Sequence, residues 1–289
     1  MVEIKDLDQP KHINTWCPGC GDFSILFAAK KAIVELGLSP KDTVLVSGIG
    51  CGSKLPHYVN TYAFEGIHGR TIPIATGIKL ANPSLNVLVF SGDGDTYSIG
   101  SAHFLHAFRR NLDMCYIVHN NEIYALTKKQ YSPTTEKGYV CPTAPDGSIE
   151  IPFNPLAVAI AAGATFVARA SGGDINHLTE IIKQGIQHKG LAIIDVLQPC
   201  VTWRNEKSYS FLKERVYDIN KEGFDNKNKA NAIKYLLENE IYHGKIAIGI
   251  FYIEQRSTYE DELKITDKSP VVKQDIKKID ISKLLDNLV

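Results

Sequence analysis

Two short blocks place oxygen ligands at a spacing suited to a metal–phosphate site. Gly92-Asp93-Gly94-Asp95 follows an apolar run, Asn86-Val-Leu-Val-Phe-Ser91, and 26 residues separate Gly94 from Asn121. Asn121 itself follows a second apolar run, Asp113-Met-Cys-Tyr-Ile-Val118. Two buried strands would thus each deliver a ligand to the loop at their C-terminal end, where open α/β sheets bind ligands. An Asp carboxylate and an Asn amide oxygen suit a hard cation such as Mg²⁺, which keeps few protein ligands and takes other oxygens from a phosphate. The glycines let backbone N–H groups approach that phosphate. The plain alternative is a pair of ordinary turns, since Gly, Asp and Asn are common turn formers. Asn121 at this distance, after a second apolar strand, favours the metal site.

The cysteines form the second pattern. Cys17, Cys20, Cys51, Cys115, Cys141 and Cys200 are present. The charged start Met1-Val-Glu-Ile-Lys-Asp6 does not read as a signal peptide, so reduced thiols and a cytoplasmic location are expected. Cys17-Pro18-Gly19-Cys20 is a C-x-x-C knuckle, Cys51 lies between Gly50 and Gly52, and Cys200 follows Pro199. All four sit in turns where thiolates can converge. Cys115, inside a strand, reads as an inert buried thiol, and Cys141 receives no role. Four thiolates fit a tetrahedral zinc or a four-iron cluster, and spacing alone does not choose between them. A C-x-x-C redox couple would leave Cys51 and Cys200 unexplained.

The block GDG, then about 25 residues, then Asn-Asn resembles the motif of thiamine-diphosphate enzymes. With a four-cysteine set the chain is similar to the β subunit of 2-oxoacid:ferredoxin oxidoreductases. The stretches that carry this are Trp16-Cys-Pro-Gly-Cys-Gly21, Gly48-Ile-Gly-Cys51, His68-Gly-Arg70, Ala75-Thr-Gly-Ile-Lys-Leu-Ala-Asn82, Ser91-Gly-Asp-Gly-Asp95, Asn121-Glu-Ile-Tyr124, Leu126-Thr-Lys128, Gln130, Ser132-Pro-Thr134 and Pro199-Cys-Val-Thr202. They run in order from Trp16 to Thr202. Two departures stand out: the family's Tyr-Gly-Leu-Thr-Lys-Gly-Gln reads here as Tyr124-Ala-Leu-Thr-Lys-Lys129-Gln130. A non-glycine residue costs about 1 kcal/mol or more wherever the loop needs φ > 0, unless the loop path differs.

The resemblance implies roles. Asp93, Asn121 and the Ile123 carbonyl would hold Mg²⁺. Gly94 and Asp95 would meet the diphosphate through backbone and side-chain contacts. Ile49, Gly50, Cys51, Gly52, His68, Tyr124, Ala125 and Leu126 would lie along the cofactor. Cys17, Cys20, Cys51 and Cys200 would ligate a [4Fe–4S] cluster, with Cys51 shared between the two sites. The implied reaction is oxidative decarboxylation of a 2-oxoacid with coenzyme A to acyl-CoA and CO₂, the electrons passing through the cluster to ferredoxin. An α subunit would supply the pyrimidine-binding domain and its activating Glu. Lys54, three residues after Cys51, is a candidate for recognising the 2-oxoacid carboxylate. Lys128 and Lys129 are candidates for meeting coenzyme A, with an exposed loop lysine the plain reading of Lys129. The competing readings are a non-redox thiamine decarboxylase or carboligase with a structural four-cysteine zinc, and a zinc-stabilised nucleotide-binding subunit.

Composition agrees with an enzyme subunit. Hydrophobic residues make up 44% of 289, enough for a large core, and 32 basic residues balance 32 acidic ones. That balance argues against nucleic acid or an anionic membrane as partner. No apolar run approaches the roughly 18 residues of a membrane span. Helices are expected at Asp22–Leu36 (capped by Asp22), within Gly69–Ala81, and at Ile99–Arg110, 155–162 and 174–188 (capped by Asp174). Strands are expected at Thr43–Val46, Val87–Phe90, Met114–Val118, 165–169 and 191–197. Their alternation predicts a doubly wound, mostly parallel α/β sheet. Residues 121–154 form a long loop, and such loops are usually functional. Composition shifts after Trp203, so a domain over 1–203 and a partner-contacting C-terminal extension over 204–289 are expected, with Ile246–Tyr252 able to add a strand and a charged tail at the end.

Overall fold

The computed structural model describes residues 2–239, 244–266, 268–275 and 280–286. Among the described residues ten strands form in chain order: β1 (Thr43–Ser47), β2 (Tyr62–Glu65), β3 (Asn86–Gly92), β4 (Met114–Asn120), β5 (Ile123–Tyr124), β6 (Gln130–Tyr131), β7 (Phe166–Ser171), β8 (Leu191–Leu197), β9 (Val216–Asp218) and β10 (Ile246–Ile253). Eight of them make one sheet in the order β2-β1-β3-β4-β8-β7-β10-β9. Neighbours from β2 to β7 run parallel, whereas β10 is antiparallel to β7 and carries β9 parallel to itself.

Every residue of β1, β4, β7 and β8 is buried. This is the pattern of a sheet covered on both faces. Side chains alternate between two cores. On one face Val46, Val89, Tyr116 and Ile193 pack against α2 (Thr71–Ala81), α3 (Ser101–Arg110), α4 (Pro155–Ala161) and α7 (Lys229–Glu238). On the other, Leu45, Phe90, Ile117 and Ile194 pack against α1 (Asp22–Glu35) and α5 (Ile175–Gln187). Gly185 lets α5 press on the sheet: a Cβ there would lie 2.9 Å from Ile194 Cδ1 and 3.0 Å from Cys115 Sγ. Cys115 is thus a buried packing thiol, 2% exposed.

The remaining helix of this region, α6, spans Tyr209–Arg215. The expected caps divide. Asp174 does cap α5, accepting from His177 N at 3.0 Å. Asp22 does not cap α1; Gly21 holds that position, and the Asp22 carboxylate turns into the core, 0% exposed. The strand expected at Ile246–Tyr252 forms as β10. β10 lies inside the sheet, so residues from both sides of Trp203 share one core. The charged tail falls partly outside the described residues. Among the described residues no helix is long and apolar enough to cross a membrane.

Candidate active site

Parallel pairing of β3 with β4 sets Gly92 opposite His119. The loops beyond them therefore start side by side, and Asp93 and Asn121 line the same cavity of about 200 Å³. Ile49, Gly50, Cys51, Gly52, His68, Gly94, Asp95, Ile123, Tyr124, Ala125 and Leu126 line it too. Every residue expected at the cofactor and Mg²⁺ sites is thus brought together, from loops after β1, β2, β3 and β4. Gly94 is needed for close approach, since a Cβ there would overlap the Tyr124 ring.

Asp93 is 1% exposed. Its Oδ2 accepts from Ser132 Oγ at 2.5 Å and Thr134 Oγ1 at 2.7 Å. Those donors favour the ionised form, but burial outweighs them, and the negative charges of Glu122 and Asp195 push the same way as burial. The Asp93 carboxyl is raised from 3.8 to about 7. A carboxylate held so unfavourably is a strong ligand for a cation that restores the charge balance. Asn121 Oδ1 accepts from Ile123 N at 3.1 Å, which folds the second ligand loop back on itself. The donors are all hard oxygens, which fits Mg²⁺.

Asp95 lines the cavity, and its side chain is engaged with the surrounding loops. Its carboxylate accepts from Gly69 N at 2.8 Å, Thr71 Oγ1 at 3.1 Å and Ile49 N at 3.3 Å, and also from Ser91 Oγ. His68 Nδ1 lies 2.6 Å from its Oδ1, without hydrogen-bond alignment. The side chain braces the loops after β1 and β2 against β3. Gly48 is forced by this packing, since a Cβ there would overlap Asp95 Oδ2.

A second cavity, of about 270 Å³, is lined by Cys17, Cys20, Cys51 and Cys200, with Thr15, Lys54, Gln198 and Lys128. It shares Cys51, Asn121, Ala125 and Leu126 with the first. The turns that carry the thiols are locked together: Trp16 Nε1–H donates to Cys51 O at 2.7 Å, and Gly21 N to Pro199 O at 3.0 Å. Burial raises the thiols of Cys20, Cys51 and Cys200, Cys51 to about 12. Cys141 lies elsewhere. Among the described residues, no three His, Cys, Asp or Glu side chains are close enough to chelate a single ion.

The long loop is clamped by a group that the sequence reading missed. Arg204, 1% exposed, pairs with Glu122 at 3.0 Å and Glu136 at 2.8 Å, and its guanidinium lies 4.4 Å from the Tyr139 ring centre. Lys207 joins both carboxylates. Glu122 sits between Asn121 and Ile123 with φ 61, so the clamp fixes a left-handed residue between two candidate ligands. Lys128 (φ 74) and Lys129 (φ 80) are left-handed as well, and Ala125 is not. The loop therefore keeps a glycine-like path at Lys129.

A parallel sheet that joins an Asp and an Asn at the tips of adjacent strands, over a glycine-lined cavity, has the build of a thiamine-diphosphate-binding domain. Residues 48–196 match the family model described as "Thiamine pyrophosphate enzyme, C-terminal TPP binding domain". Residues 200–268 match the model for the C-terminal part of the pyruvate ferredoxin oxidoreductase beta subunit. The chain is 48% identical to "2-oxoacid:ferredoxin oxidoreductase 1, subunit beta" of Aeropyrum pernix, over 86% of this chain and 81% of that one. It is 47% identical to the corresponding β subunit of Saccharolobus solfataricus, over 89% and 87%. A solved 2-oxoglutarate:ferredoxin oxidoreductase from Magnetococcus marinus, with 2-oxoglutarate, coenzyme A and succinyl-CoA bound, superposes with a TM-score of 0.89 at 34% identity, covering 100% of this chain and 96% of that one. The chain belongs to the β subunits of the 2-oxoacid:ferredoxin oxidoreductases, enzymes that work with a partner subunit.

Two outcomes follow from this geometry. The folded protein raises the Asp93 carboxyl, so its ionisation opposes folding: the cost grows as pH rises from about 4 and is complete above about 7. In metal-free protein at pH 8, Asp93→Asn should raise stability by at most about 4 kcal/mol, a gain that vanishes near pH 4. It should also abolish Mg²⁺-dependent binding of thiamine diphosphate. Thermal unfolding across pH, with and without the cofactor, measures both. In the loop, Lys129→Gly should relieve a left-handed residue and raise the stability by up to about 1 kcal/mol, whereas Ala125→Gly should lower it by about 0.5–1 kcal/mol. Paired melting curves of the two variants check the opposite signs.

Proposed function

We propose that this chain, joined to an α subunit, catalyses coenzyme A-dependent oxidative decarboxylation of a 2-oxoacid, with electrons leaving through a [4Fe–4S] cluster to ferredoxin. The observation that carries this reading is the shared wall. Cys51 lines both the metal–diphosphate cavity and the four-cysteine cavity, so an electron donor in one lies beside an acceptor in the other.

Asp93, Asn121 and the Ile123 carbonyl would hold Mg²⁺. Ile49, Gly50, Gly52, His68, Gly94 and the Tyr124–Leu126 turn would line the cofactor. Bound thiamine diphosphate supplies the electron sink for decarboxylation. Cys17, Cys20, Cys51 and Cys200 would hold the cluster, whose chemistry is one-electron transfer. Zinc has no redox chemistry, so the wall that the four-cysteine cavity shares with the cofactor cavity favours the cluster. Asp95 holds the cavity walls in place, and the Arg204 clamp closes the loop that carries two ligands.

Lys54 lines the cysteine cavity beside Cys51, and its Nζ donates to Thr15 Oγ1 at 3.1 Å. Its position supports a role in recognising the substrate carboxylate. Lys128 lines the same cavity and is a candidate contact for coenzyme A. The 2-oxoglutarate, coenzyme A and succinyl-CoA named for the Magnetococcus marinus enzyme agree with this substrate class.

Iron, sulfide and zinc analysis of anaerobically purified complex is the direct test. We expect iron and sulfide in the proportion of a four-iron cluster for each copy of this chain, and visible absorbance bleached by 2-oxoacid plus coenzyme A. Zinc without colour would favour the decarboxylase or carboligase reading. Lys54→Ala should raise the KM for the 2-oxoacid about tenfold or more, the loss of a charged hydrogen bond, with the KM for coenzyme A unchanged; an unaltered oxoacid KM removes the role.

A further inference from the structure

Two buried side chains contact the sulfur of Cys20. Asp22 Oδ2 lies 3.4 Å from Cys20 Sγ, and Gln198 Nε2 lies 3.3 Å from it. Asp22 is 0% exposed and Gln198 is 5% exposed. Asp22 Oδ1 accepts the Nδ1–H of His119 at 2.7 Å. His119 is itself 1% exposed and lines the cofactor cavity, where its Nε2 has no hydrogen-bond partner among the described residues.

The chemistry of this trio changes when Cys20 becomes a ligand. As a thiol, Cys20 donates its S–H to Asp22. As a ligand it is a thiolate, and the carboxylate then faces a negative sulfur with no proton between them. Adding one electron to an iron–sulfur group places more negative charge on its sulfurs. A buried carboxylate at this range opposes that addition, and it does so in surroundings where water screens little. An amide N–H pointing at the same sulfur favours the addition, because hydrogen bonds to ligand sulfurs stabilise the reduced state.

We propose that Asp22 and Gln198 set the reduction potential of the group held by Cys17, Cys20, Cys51 and Cys200: Asp22 lowers it, Gln198 raises it, and His119 moderates Asp22 by donating to its other oxygen. Asp22 and Gln198 are positioning residues that act through the Cys20 sulfur. A lowered potential suits a group that must pass its electron onward. The inference rests on the iron–sulfur reading of the four-cysteine cavity.

Potentiometry followed by electron paramagnetic resonance, on the anaerobic complex with its partner subunit, tests it. Iron and sulfide are measured first; their absence from the unsubstituted complex overturns the iron–sulfur reading and this inference with it. With the cluster present, Asp22→Asn should shift the midpoint upward, Gln198→Met downward, and His119→Phe downward. A general loosening of the site would not produce shifts of opposite sign. Shifts of one sign in all three variants, or none, overturn the inference while leaving the cluster reading intact. Should Asp22→Asn fail to retain iron, His119→Phe reads the same carboxylate stripped of its donor: a lower midpoint supports the assignment and an equal or higher one overturns it.

Discussion

Four carboxylates buried where the sheet's parallel strands end impose the constraint on which this site depends. Asp22, Asp93, Asp95 and Asp195 are each 2% exposed or less. Burying a carboxylate is costly unless other groups replace its water. Asp95 has two backbone N–H groups, two hydroxyls and His68 around it. Asp195 accepts from Tyr97 and Asn120 and lies 3.7 Å from Arg169. Asp22 has His119. Asp93 has two hydroxyls and, among the described residues, no paired cation. Burial still pushes up both Asp195 and Asp93, and of these two it is Asp93 that lines a cavity with Asn121.

The same economy of placement governs the two cavities. The loop after β1 is short, and glycines flank Cys51 on both sides. Gly52 cannot carry a side chain, since a Cβ there would lie 2.6 Å from the His119 ring. That contact presses the cysteine turn against the tip of β4. One residue can therefore face two chambers, and the distance between the proposed chemistry and its acceptor is fixed by packing rather than by motion.

Much of this was legible in the sequence because its signals are local. Continuous apolar runs mark the buried strands, and the glycine–aspartate block and the C-x-x-C knuckle announce their own turns. The missed features are those whose meaning lies far along the chain. Asp22 looks like a helix cap until its partner is seen, and that partner is His119, 97 positions away. Ser132-Pro-Thr134 stands out only as part of a resemblance, and nothing local shows that both hydroxyls meet Asp93 across about forty residues. The Lys- and Glu-rich composition after Trp203 suggested an appendage, but composition does not reveal that β10 would pair with β7. β2 was also missed; all four of its residues are exposed, so it lacks the apolar signature of a strand.

The short turn from Cys200 to Arg204 joins the two candidate sites. Arg204 N donates to Cys200 O at 2.9 Å, and the Arg204 side chain then grips both Glu122 and Glu136. The last cysteine of one candidate site is therefore tied, through a single residue, to Glu122, which sits between Asn121 and Ile123, the candidate ligands of the other; a substitution that shifts Cys200 would be felt at both.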